Sequence, residues 1–64
     1  MKMFCGMFNR VAIEQQEYFV LSCGKAMILL YILPIQVAKA KLGCSCAIVG
    51  ELAEGGLVVE EIYS

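Results

Sequence analysis

A nearly unbroken apolar run constrains this chain more than any other feature of it. From Tyr18 to Leu33 the sequence reads YFVLSCGKAMILLYIL, interrupted at Gly24-Lys25 and stopped by Pro34. Periodicity cannot separate a strand from a buried helix in such a run, so length and punctuation decide. Two segments of about six residues, rich in β-branched, aromatic and aliphatic side chains and broken at a glycine, suit strands of a sheet buried on both faces.

Pro34 has no N–H and a fixed φ, which suits the first turn of a helix. After it, Ile35, Ala38 and Leu42 recur at spacings of three and four, Lys39 and Lys41 sit where cations favour the helix dipole, and Gly43 offers a terminating position. A helix is expected over Pro34–Lys41. Beyond it, Ala47–Leu52 and Leu57–Ile62 read as strands, with Ala53-Glu54-Gly55-Gly56 supplying the positive-φ positions of a hairpin loop. Upstream, Val11–Glu17 contains good helix formers and predicts a short N-terminal helix. Met1–Arg10 carries a central Gly6 and no small-x-small cleavage pattern, so it reads as a loosely ordered lead-in rather than a signal peptide. The expected fold is α+β: one small domain over residues 11–64, with a mixed sheet of about four strands, following a lead-in over residues 1–10.

Chemistry is limited by what is missing. The 64 residues include no His and no Asp, which removes the imidazole base of Ser-His-Asp and Cys-His nucleophiles, mixed Cys/His zinc sites and Asp-rich calcium loops. Five Lys/Arg against six acidic residues, all Glu, give a net charge of −1 with no cluster of cations, so nucleic-acid binding lacks electrostatic support. No catalytic, cofactor-binding or metal-ligating residue is assigned, and no cofactor is expected.

Several residues could nevertheless carry chemistry. Cys5, Cys23, Cys44 and Cys46 contain no Cys-x-x-Cys pair; placed in apolar runs, they read as reduced structural thiols of a cytoplasmic chain. Gly24-Lys25 lacks the glycine spacing of a phosphate loop and reads as a turn. Cys44-Ser45-Cys46 reads as a loop leading into a strand, with a redox or metal pair as the alternative. Glu51 and Glu54 read as solvated hairpin charges, with acid–base or cation-binding roles as the alternative. Met1, Met3, Met7, Phe4 and Phe8 could pack inward or form a partner-binding patch.

The segments YFVLSCGKAMILLYILP, QVAKAKLG and CAIVGELAEGGLVVEE together resemble the C-terminal domain of the ATP-dependent enzymes related to aminoimidazole ribonucleotide synthetase. Within that superfamily, Phe19-Val20-Leu21-Ser22-Cys23-Gly24-Lys25, and Leu42-Gly43 followed by Ala47-Ile48-Val49-Gly50-Glu51, are most similar to the hydrogenase-maturation dehydratase, with selenophosphate synthetase next. The resemblance spans Tyr18–Glu61. It implies an α+β fragment or remnant of such an enzyme, lacking the nucleotide-binding half and its magnesium sites, non-catalytic and acting through association. With 61% hydrophobic residues, self-association or a partner subunit is expected, at sheet edges over Tyr18–Leu21 and Leu57–Ile62. The alternative is a single-pass membrane protein spanning residues 18–38, a length sufficient for the hydrocarbon core but carrying Lys25 inside it.

Overall fold

A computed structural model describes residues 2–64. Five strands, β1 (Lys2–Ile13), β2 (Gln16–Cys23), β3 (Ala26–Tyr31), β4 (Ser45–Ala53) and β5 (Gly56–Tyr63), close into a barrel in the order β1-β2-β3-β5-β4. A helix of four residues, α1 (Pro34–Val37), lies between β3 and β4. All neighbours are antiparallel except β3 and β5, which pair in parallel through Leu30↔Leu57 and Tyr31↔Val58. Five strands in this order, with the helix between the third and fourth, form the Greek-key barrel of the OB type.

The expected α+β architecture is therefore wrong, and so is the α+β domain that the family resemblance implied. Val11–Glu17 is not a helix. Val11–Ile13 ends β1, Gln16 and Glu17 begin β2, and Glu14 and Gln15 turn between them at φ 50° and 68°. Two consecutive positive-φ residues are the geometry whose twist matches a tight hairpin; cross-strand pairing outweighs the weak helix propensity of the Glu and Gln residues here. The expected helix over Pro34–Lys41 begins correctly at Pro34 but stops at Val37. Its first turn is held by Gln36, whose Oε1 accepts from the Leu33 N–H at 2.9 Å. Gly43 does take a positive φ of 81°, but six residues beyond the helix end. Residues 2–10, expected to lead in loosely, form most of β1, and Met1 lies outside the described residues. The two strands expected within Tyr18–Leu33, and those over Ala47–Leu52 and Leu57–Ile62, are present within a residue or two, as is the Glu54-Gly55 turn.

Strand alternation fills the interior. Phe8, Leu21, Leu30, Cys46, Ile48, Leu57, Val59 and Ile62 form the core, with Phe4, Phe19, Cys23 and Ile28 packed against it. Phe8 and Phe19 stack with centroids 5.4 Å apart. Val37 and Ala40, on and just after α1, join this cluster, which gives the short helix its place against the barrel. Two features bend the sheet closed. β1 changes partner at Met7, pairing with β4 before it and with β2 after it. In β5, Val49 faces Glu61 and Gly50 faces Val59, so Glu60 is an extra residue that forms a bulge and sharpens the local twist. That bulge explains why the inward residues fall at 57, 59 and 62 instead of keeping a strict period of two.

No helix among the described residues is long and apolar enough to cross a membrane. The segment that the alternative reading placed across a membrane, residues 18–38, is divided among β2, β3 and α1.

Candidate functional site

In OB-type barrels the outer face of the second and third strands, with the loops β1–β2 and β4–β5, is the usual ligand surface. The register sets out what this chain places there. Met7, Ser22 and Met27 form one transverse row, Asn9, Val20 and Leu29 a second, and Glu51, Val58 and Tyr31 a third across β4, β5 and β3. Asn9 Nδ2 donates to Ser22 Oγ at 3.2 Å. Val20 is only 3% exposed although it alternates with the core residue Leu21, whereas Met27 is 62% and Tyr31 45% exposed. The field thus mixes apolar side chains with Asn9, Ser22 and Glu51, with Val20 buried in its second row and Met7, Met27, Tyr31 and Val58 exposed around it.

Tyr31 organises the far side of this field. Its hydroxyl donates to the Glu54 carbonyl at 2.9 Å, fastening the β4–β5 turn to the end of β3. A Cβ on Gly55 would lie 2.8 Å from the same hydroxyl, so this glycine is required both for its φ of 86° and for room beneath the ring. Where β3 leaves the sheet, Tyr31, Ile32, Leu33, Gln36, Val58 and Val59 enclose an open apolar hollow of about 450 Å³. Gln36 spans it, donating from Nε2 to the Val59 carbonyl at 3.1 Å.

The residues singled out in the sequence are mostly scattered. Gly24 takes φ 62° in the β2–β3 turn, with nothing near enough to meet an added Cβ, and Lys25 beside it is exposed; the pair is a hairpin turn. Cys44 and Cys46 are separated by environment, the first exposed and the second buried in the core. All four cysteines are free thiols. Cys23 donates to the Cys5 carbonyl at 3.2 Å, and both lie near Cys46, whose thiol pKa is raised by burial first and then by the proximity of Cys5 and Cys23. No three His, Cys, Asp or Glu side chains among the described residues converge as metal ligands. Glu51 lies on β4 opposite Val58, and Glu54 occupies the following turn. Met3 and Met7 are exposed while Phe4 and Phe8 face the core, so alternation divides these residues between surface and core; Met1 lies outside the described residues.

The hollow and Tyr31 were not singled out from the sequence. The only signal was Pro34, which forces β3 to end, but not where the departing chain would leave β5 exposed.

The four Glu of the β4–β5 hairpin, Glu51, Glu54, Glu60 and Glu61, lie in a segment, Ser45–Tyr63, that contains none of the five cations. Lys2, Arg10, Lys25, Lys39 and Lys41 all precede it. Charge is thus segregated along the chain. No family model, curated protein or solved structure matches this chain.

Proposed function

We propose that this chain is a non-catalytic, OB-type association module that binds another protein through its apolar outer surface. The observation carrying this reading is that eleven large apolar side chains among the described residues remain exposed although the barrel interior is already filled. A chain this small gains little by exposing them unless a partner covers them. Catalysis finds no support, because no convergent set of titratable groups lies in the hollow and neither His nor Asp is available. An oligonucleotide, the ligand that OB-type barrels often take, is disfavoured by Glu14 in the β1–β2 turn and Glu54 in the β4–β5 turn, since phosphates bind where cations cluster.

Two measurements test this reading together. The purified chain should bind an apolar dye such as anilinonaphthalene sulfonate in its native state, and Met27→Ser should reduce that binding. A labelled oligothymidylate should show no anisotropy change at low salt. Tight, salt-sensitive binding of the oligonucleotide, or a native chain that ignores the dye, would overturn the proposal.

A further inference from the structure

We propose that the edge of β5 beyond Val58, which no strand pairs on the β3 side and which Gln36 bridges at Val59, accepts an extended, Lys- or Arg-bearing segment of a partner protein as an added strand. This rests on the association reading above and names its partner by chemistry. The ladder between β3 and β5 has two pairs and ends at Tyr31↔Val58, yet β5 runs on to Tyr63. From Val59 onward it is paired only with β4. The Val58 carbonyl lies on the β4 side, close to where a Cβ on Gly50 would be. Carbonyls alternate along a strand, so that of Val59 points to the open side, where the side-chain amide of Gln36 meets it at 3.1 Å. A side chain here makes the bond that a neighbouring strand would otherwise make.

Shape and charge select the occupant. Beside this edge lies the apolar hollow of about 450 Å³, which can take the alternate side chains of an added strand, the arrangement that gives strand addition its specificity. Glu60 and Glu61 are exposed on the edge itself, in a hairpin without cations. A second copy adding its own β5 in antiparallel fashion would set Glu60 and Glu61 against the same residues, which like-charge pairing disfavours. A cationic segment is met instead by opposite charge. The bulge at Glu60 turns the edge away, so the added pairing is short and binding is correspondingly weak.

The test uses the ¹⁵N-labelled chain and two capped heptapeptides, one alternating Lys with Val and the other Glu with Val. The Lys peptide should shift the amide resonances of residues 31–36 and 58–62, and more weakly at high salt. The Glu peptide should leave them unchanged. A Glu60→Gln, Glu61→Gln double variant, whose changes are exposed and should leave the fold intact, should weaken the Lys peptide about fivefold. Equal binding of both peptides, shifts confined to other strands, or concentration-dependent shifts at residues 59–62 without peptide would each overturn the proposal, the last because it assigns the edge to a second copy. If no peptide binds while native dye binding persists, the edge assignment fails and the association reading stands; if both are absent, both fail.

Discussion

Gly50→Ala offers the sharpest test of how this barrel closes. Gly50 faces Val59 beside the bulge at Glu60, which sharpens the local twist. A Cβ there would fall well inside van der Waals contact with the Val58 carbonyl oxygen, and would lie 3.0 Å from its carbon and 3.4 Å from Leu57 Cδ1. The obstructing atoms are mainly backbone, so no side-chain rotation relieves them; β4 and β5 must separate at the point where closure depends on their approach. Overpacking of this kind costs roughly 1–3 kcal/mol, and its backbone character puts the expected loss at the upper end, about 2–3 kcal/mol. Gly24→Ala is the control, because its surroundings are open and only φ 62° is strained, for a cost of about 1 kcal/mol. A chain of this size has on the order of 3–10 kcal/mol in total, so Gly50→Ala removes a large share. Urea unfolding followed by far-ultraviolet circular dichroism should show a much lower midpoint for Gly50→Ala than for Gly24→Ala. Thermal midpoints should fall by roughly 10–20 °C and about 4–8 °C respectively. If Gly50→Ala is as mild as Gly24→Ala, the close approach of β4 and β5 at the bulge is refuted.

Phe8→Ala should cost about 3–5 kcal/mol, because Phe8 is fully buried and stacked on Phe19; a folded variant with an unchanged urea midpoint would contradict its position at the centre of the core. The thiols should react with a disulfide reagent in an order set by exposure, Cys5 and Cys44 first and Cys46 last, the last only through transient opening; early labelling of Cys46 would refute its burial. The raised pKa of Cys46 has a definite sign. Its thiol holds the proton more tightly folded than unfolded, so stability is constant below the ordinary thiol pKa of about 8.5 and declines as pH rises through and beyond it. Between pH 8 and 10 the native chain should therefore lose more stability than Cys46→Ala does.

Much of the strand content was legible from the sequence alone. Apolar runs bounded by Gly24, Pro34 and the Glu54-Gly55 turn located β3, β4, β5 and most of β2, because side-chain type and turn chemistry act locally. The absence of His and Asp likewise restricted the available chemistry before any fold was known. Misreadings fell where the deciding interactions are distant in sequence. Val11–Glu17 contains residues that favour a helix, but Ala12 and Ile13 find partners in Glu17 and Gln16 across a tight turn. Pro34 starts a helix whose sequence could extend it to Lys41; instead Ala40 enters the core, and the chain leaves helical geometry after Val37. The parallel seam between β3 and β5 joins residues 27 apart at both of its pairs, beyond the reach of any local pattern. The open edge beside that seam and the hollow under Gln36 exist only because the barrel closes there with two pairs and no more. Local propensity determined which segments could be strands, and burial of Phe8, Leu21, Ile48 and Leu57 in one shared interior decided how they were joined.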